Sequence, residues 1–168
     1  MTTDTTFSRE RIFEILSEVP DPEVPVISVV ELGIVRDASQ RADGTVEITI
    51  TPTYSGCPAM FEIERDIRTA LEQAGAPAIE VKTKLSPAWT TDWIPEEARE
   101  KLRRYGIAPP GKADTGGLVT LVRAKPPVQC PWCGSTNTTL KSEFGSTACK
   151  AIHVCNTCRQ PFDEFKAF

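Results

Sequence analysis

Five of the six cysteines lie within the last 40 residues, and their spacing predicts a metal site. Cys130 and Cys133 form one Cys-x-x-Cys pair and Cys155 and Cys158 form a second, with 21 residues between the pairs. Each pair presents two thiolates on one side of a turn, and two such pairs can enclose a tetrahedral ion. We predict a four-cysteine zinc ribbon over 129–168 that holds a structural Zn²⁺. A rubredoxin-like iron site, which uses the same ligands, is the alternative.

Two further residues of ligating type, Cys149 and His153, lie between these pairs. His153 is the only histidine of the chain. Because four cysteines already complete a tetrahedral site, we expect Cys149 to be packed and His153 to lie on a strand surface.

The sixth cysteine, Cys57, stands apart in the stretch TPTYSGCPAM (51–60). It follows a strand-like run and precedes a helix-like one, with Gly56 before it and Pro58 after it. At the start of a helix the unpaired amide groups favour an anion, so a nucleophile or a soft-metal ligand is one interpretation. A packed structural cysteine is the other. Hydrolase chemistry is disfavoured, because the single histidine lies in the ribbon and no base is left for the thiol.

Composition places the chain among ordinary globular proteins. It has 168 residues, 40% hydrophobic and 25% charged, with a formal net charge of −4. No apolar run long enough to span a membrane occurs, and the polar N-terminus does not suit a secretory signal or a transit peptide. We therefore expect a cytoplasmic protein, whose cysteines stay reduced. The negative charge disfavours binding to nucleic acid or to a membrane surface, and protein partners remain.

The pattern of apolar residues predicts a compact α+β domain with helices packed on a small mixed sheet. Helices are expected at 7–19, after Cys57 and near 95–105, and strands within 26–38, 44–53 and 78–85, the first two forming a hairpin. A Pro/Gly-rich linker is expected at 107–128, with a short strand at 118–122. The chain has neither the Glu-x-x-His pairs of a di-iron carboxylate site nor a dinucleotide-binding glycine turn, so an oxygenase or reductase role is disfavoured.

The segments DPEVPVISVVELGIVR (21–36) and TPTYSGCPAM (51–60) resemble the SufT-like, CIA-associated iron–sulfur assembly domain. In that family an Asp-Pro-Glu motif precedes the first strand and a cysteine follows a turn. The resemblance implies late delivery of iron–sulfur clusters to client enzymes. The matching positions here are Asp21, Glu23 and Cys57, which become the candidates for cluster or iron transfer.

The rest of the chain resembles the PaaD family (also called PaaJ) of the phenylacetyl-CoA epoxidase system. The resemblance is carried by SPAWTTDWIPEEAREKLRRYGIAPP, CPWCGS, FGSTACKA and CRQPFDEFKAF. It implies an accessory protein, not an enzyme, that helps to mature iron–sulfur or iron centres of the other epoxidase proteins in phenylacetate degradation. The alternative is a structural adaptor of that complex with no metal cargo.

Together these observations predict an assembly domain at 1–106, a linker at 107–128 and the ribbon at 129–168. One thiol per chain cannot hold a cluster alone. A transient cluster at Cys57 would therefore need a homodimer or an external ligand.

Overall fold

The computed structural model describes residues 6–111 and 127–167, and the chain divides into two compact units, Met1–Trp89 and Thr90–Phe168. Both contain helix and sheet, which confirms the predicted α+β class. The helices are α1 (Arg9–Ser17), α2 (Ala59–Gln73) and α3 (Glu96–Tyr105), with a 3₁₀ turn at Thr91–Trp93. The strands are β1 (Val35–Gln40), β2 (Val46–Ile50), β3 (Ile79–Thr83), β4 (Ile107–Ala108), β5 (Thr138–Ser142), β6 (Lys150–Cys155) and β7 (Pro161–Phe165).

A three-stranded sheet in the order β1-β2-β3 organises the first unit. β1 and β2 form an antiparallel hairpin, and β3 returns parallel to β2 after α2. One face of β2 is buried, at Val46, Ile48 and Ile50. Glu47 lies on the opposite face, where it pairs with Arg41 and, at 2.7 Å, with Lys82. The alternation read from the sequence therefore gives one core face and one ionic face.

The helices α1 and α2 cover the core of this unit. α1 packs against β1 and α2, and α2 packs against β3. The side-chain oxygen of Ser8 caps α1 by accepting from the Arg11 amide at 3.2 Å. The buried stripe of α2 has the i, i+4 spacing of an amphipathic helix and consists of Ala59, Ile63, Ile67 and Leu71.

The strand prediction for 26–38 is wrong over its first half, where the chain forms a helical turn. The Glu31 amide donates to Ser28 Oγ at 3.1 Å, and the Ser28 amide donates to Glu31 Oε2 at 2.9 Å. This reciprocal pair is a capping box, which satisfies the free donors at the start of a turn. Gly33, with φ +76°, ends it. The strand begins only at Val35, so the hairpin pairs 35–40, not 28–36, with β2.

The second unit is built on a four-stranded sheet in the order β4-β7-β6-β5. β5, β6 and β7 form an antiparallel meander, and the short β4 pairs in parallel with β7. The sequence placed 90–106 with the first domain and 107–108 in the linker, whereas the contacts group α3 and β4 with the ribbon.

Most of the predicted linker, including the expected strand at 118–122, lies outside the described residues. Among the described residues, no helix combines the length and apolar character needed to cross a membrane.

Candidate metal centre and the Cys57 turn

Two turns with the same hydrogen-bond pattern carry the Cys-x-x-Cys pairs. In the first knuckle, residues 130–135, the Cys130 amide donates to Ser135 O, and the Gly134 amide donates to Cys130 O. In the second knuckle, residues 155–160, the Cys155 amide donates to Gln160 O, and the Arg159 amide donates to Cys155 O. Each turn needs a left-handed residue after its second cysteine, and these are Gly134 (φ +75°) and Arg159 (φ +66°).

The four sulfur atoms converge on one point. Cys130 Sγ lies 3.7 Å from Cys158 Sγ, and Cys133 Sγ lies 3.5 Å from Cys155 Sγ. All four lie within 4.8 Å of one another. A tetrahedral zinc ion with Zn–S bonds of about 2.3 Å requires sulfur atoms about 3.8 Å apart, so the residues fit such an ion. The sulfur separations also exclude disulfides, whose S–S bonds are about 2.05 Å long.

The electrostatics of the thiols reflect their mutual proximity. The backbone N–H of Cys158 approaches Cys155 Sγ at 3.5 Å and lowers the pKa of Cys155 to about 6. The amide of Gln160 acts in the same direction on Cys158, but burial and the other three thiols raise the pKa of Cys158 to about 12. For Cys133 the Ser135 amide is likewise outweighed by burial and by Cys155, and the pKa is raised. Four thiolates at this spacing need a cation to neutralise them.

The metal site is also part of the core of the second unit. Cys130 and Cys155 form a buried cluster with Ala108 and Phe162, and Val128 and Cys158 pack against it. Two of the four buried members are thus metal ligands, which suits a domain too small to be stabilised by apolar burial alone.

The other two candidate ligands of the ribbon lie outside the four-sulfur group. Cys149 is buried, as predicted, with its sulfur 3.0 Å from Thr147 Oγ1. The surface position predicted for His153 is wrong: its ring is buried, stacks on Phe162 and bonds Glu164 Oε2 through Nε2 at 2.8 Å. Alternation along β6 is the signal that would have located it, because His153 shares the inward face with Ala151 and Cys155.

Cys57 lies on the turn between β2 and α2, where the sequence placed it. Its amide donates to Tyr54 O at 3.2 Å, and its carbonyl accepts from the Met60 amide at 3.3 Å. Pro58 already has helical dihedral angles and is the N-cap of α2. The cysteine is only 9% exposed, but its neighbours Pro58 and Phe61 are exposed, Phe61 by 79%. The thiol therefore lies just beneath an uncharged surface.

Asp21 lies in the loop after α1, and its carboxylate organises that loop. Its Oδ1 accepts from the amides of Glu23 at 2.9 Å and Val24 at 2.8 Å, and the residue is 4% exposed. Glu23 is half-buried. The loop leads through the capping-box turn to the start of β1, which pairs with the end of β2 at Val35 and Ile50. The Asp21 loop therefore leads into the end of the sheet from which the Cys57 turn departs.

Family comparisons match both parts of the chain. Residues 9–83 match the model of iron–sulfur cluster assembly proteins, and residues 114–166 match that of the PaaD zinc beta ribbon domain. A protein of Escherichia coli (strain K12), provisionally named as the PaaD component of 1,2-phenylacetyl-CoA epoxidase, is 50% identical over 155 residues, which cover 92% of this chain and 90% of that protein.

Shorter relatives match only part of the chain. The Fe-S protein maturation auxiliary factor YitW of Bacillus subtilis (strain 168) is 37% identical over 58% of this chain and 87% of its own. Among solved structures, a DUF59 domain of unknown function from Bacillus anthracis has a TM-score of 0.53 at 28% identity, over 56% of this chain and 90% of that one. A conserved hypothetical protein from Thermotoga maritima has a TM-score of 0.51 at 29% identity, over 59% and 97%.

Proposed function

The chain belongs to the PaaD family of the phenylacetyl-CoA epoxidase system, and from that premise we propose that it delivers iron or an iron–sulfur cluster to the metal centres of this system. In this proposal it is an accessory protein that acts in the cytoplasm on other proteins of the complex and does not carry out the epoxidation. Cys57 is the ligand through which the cargo passes, and Cys130, Cys133, Cys155 and Cys158 hold a resident zinc ion.

One observation carries the proposal: the part of the chain that matches iron–sulfur assembly proteins presents a single cysteine on a turn. Cys57 is the one cysteine within residues 9–83. It lies where a 15-residue helix begins, and the exposed Pro58 and Phe61 surround it with uncharged surface. A thiolate is a strong ligand for iron–sulfur clusters, whose irons are commonly held by cysteines. An uncharged rim suits contact with a client protein.

Asp21 and Glu23 take different parts in this proposal. Asp21 Oδ1 already accepts two backbone amides, so its part is to hold the loop in shape. Glu23 is the candidate for a supporting contact with the cargo, because it is only half-buried. Since one thiol cannot retain a cluster, the remaining ligands come from a second copy of the chain, from a client or from a small thiol.

The second candidate function is that of a structural adaptor without cargo. The 9% exposure of Cys57 favours it, because a thiol that is nearly covered resembles a packed cysteine. In that case the first unit serves only as a binding surface in the epoxidase complex.

Anaerobic reconstitution with ferrous iron and sulfide separates the two functions. Under the delivery proposal the wild-type protein acquires a visible absorbance that Cys57→Ser loses. Cys149→Ser is the matched control, because Cys149 is a buried cysteine outside the four-sulfur group. Equal absorbance in the wild type and Cys57→Ser, or none in either, would favour the adaptor.

A further inference from the structure

We propose that the metal ion of the four-cysteine site also holds helix α3 in place, so that α3 and β4 fold with the ribbon as one metal-dependent unit. This inference concerns the second unit alone and does not depend on what Cys57 carries. Three sets of contacts support it.

The first contact joins the first knuckle to the end of α3. Trp132 lies between the ligands Cys130 and Cys133, and its indole covers Gly106, the residue that ends the helix with φ +91°. A Cβ atom built on Gly106 would lie 2.3 Å from Trp132 Cζ2, so the ring rests directly on the backbone. Trp132 Nε1 donates to Pro161 O at 3.3 Å, which fixes the ring on β7 as well.

The second contact runs through β4, which follows Gly106 directly. Ile107 and Ala108 pair with Asp163 and Glu164 of β7. Ala108 is fully buried in the cluster that contains the ligands Cys130 and Cys155. Displacement of either knuckle would therefore open the packing around β4.

The third contact is the guanidinium of Arg99, which lies within α3. Its three nitrogen atoms donate to backbone carbonyls of Thr91 at 2.8 Å, Ile94 at 3.1 Å and Pro110 at 2.6 Å. Arg99 thus joins the segment before the helix to the segment after β4. If β4 leaves the sheet, this set of bonds loses one end.

Metal loss is expected to release the helix for two reasons. A four-cysteine ribbon obtains most of its folding free energy from the ion, so the knuckles do not keep their shape without it. α3 has ten residues, and isolated helices shorter than about 12 residues are marginal in water.

Hydrogen exchange of the full-length protein, before and after removal of zinc by a chelator, tests this directly. We expect peptides covering 96–108 to lose protection together with 130–158, while α1 and α2 keep theirs. The α-helical circular dichroism should fall by a little under a third, since α3 has 10 residues beside 9 in α1 and 15 in α2. Unchanged protection of α3 in the zinc-free protein, or loss of protection in step with α2, would overturn the proposal.

Substitutions test the Trp132 contact with the metal still bound. Trp132→Ala should keep one zinc per chain, yet α3 should exchange at least about tenfold faster. Trp132→Phe, which keeps an aromatic ring on Gly106, should lie between this variant and the wild type. Phe144→Ala is the control, because Phe144 is a 68% exposed aromatic residue of the same unit. Wild-type exchange of α3 in zinc-loaded Trp132→Ala, or equal acceleration in Phe144→Ala, would overturn the role of the first knuckle.

Discussion

At the scale of single residues, the two knuckles differ where each needs a left-handed backbone. Gly134 meets that need without cost, whereas Arg159 adopts φ +66° with a side chain attached. A non-glycine residue in this region costs about 1 kcal/mol. The second knuckle therefore carries strain that the first does not.

We predict that Arg159→Gly stabilises the second unit by about 1 kcal/mol without changing zinc stoichiometry. The mirror substitution, Gly134→Ala, should destabilise the same unit by a similar amount, because it adds a Cβ at φ +75°. Denaturant unfolding followed by the fluorescence of Trp132 measures both free energies of unfolding. Destabilisation by Arg159→Gly would contradict this account of the second knuckle.

The thiol pKa values predict how zinc affinity depends on pH. In the metal-free site the pKa of Cys158 is raised to about 12 and that of Cys133 is raised above its ordinary value, so both are protonated at neutral pH. Zinc must displace at least these two protons. The apparent affinity should therefore rise about 100-fold per pH unit between about pH 7 and 8, and fall as pH is lowered. Competition titrations against a chelator measure this slope, and a pH-independent affinity would exclude the proton competition.

At the scale of elements, the capping-box turn is the feature that most changes the fold expected from the sequence. Ser28 and Glu31 satisfy each other's amides and direct the chain from the Asp21 loop into β1. This turn is locked further by Trp89, whose Nε1 donates to Leu32 O at 3.0 Å.

We predict that Ser28→Ala lowers the free energy of unfolding of the first unit by about 1 kcal/mol, the usual cost of a lost cap. Glu31→Gln is the matched control and should cost much less, because its amide oxygen can still accept from the Ser28 amide. Urea denaturation monitored by far-UV circular dichroism measures both. Equal losses in the two variants would assign the stability to charge and not to the capping bond.

The sequence predicts elements best where periodicity is long and unmixed. α2 is recognisable from its apolar stripe, and β2 from alternation at Val46, Ile48 and Ile50. Residues 26–34 mislead because a short run of valine and isoleucine has the same composition in a strand and in a buried turn. The Ser-x-x-Glu signal is present there but is outweighed by β-branched residues.

The candidate site is predictable to a similar degree. Cysteine spacing alone identifies the four ligands that the structure brings together. The contact between Trp132 and Gly106, and the inward ring of His153, cannot be read from spacing. They depend on how α3, β6 and β7 are packed, which is tertiary information.

At the scale of the whole molecule, the chain combines an iron–sulfur assembly part with a metal-binding ribbon. The contacts place the division at Trp89 and Thr90. The limits read from the sequence, 1–106, 107–128 and 129–168, remain a prediction, because residues 112–126 lie outside the described part. Two units with separate cores allow a defect in cargo chemistry to be distinguished from a defect in docking.

We predict that this distinction appears in vivo. Cys130→Ser should damage the ribbon and weaken binding to other proteins of the complex, so its growth defect on phenylacetate should be partly relieved by overexpression, as mass action allows. Overexpression should not relieve the defect of Cys57→Ser, where the missing group is chemical. Equal relief of both defects, measured as growth rate against protein level, would indicate that Cys57 also acts through binding.

The most direct test of the delivery role is the metal content of the epoxidase system purified from cells that carry Cys57→Ser, with Cys149→Ser cells as the control. The variant should fold and keep its zinc, since it leaves the ribbon ligands intact and changes side-chain volume little. The account predicts an oxygenase system deficient in iron or in cluster, and no growth on phenylacetate. A fully metallated system and wild-type growth in the Cys57→Ser strain would contradict it.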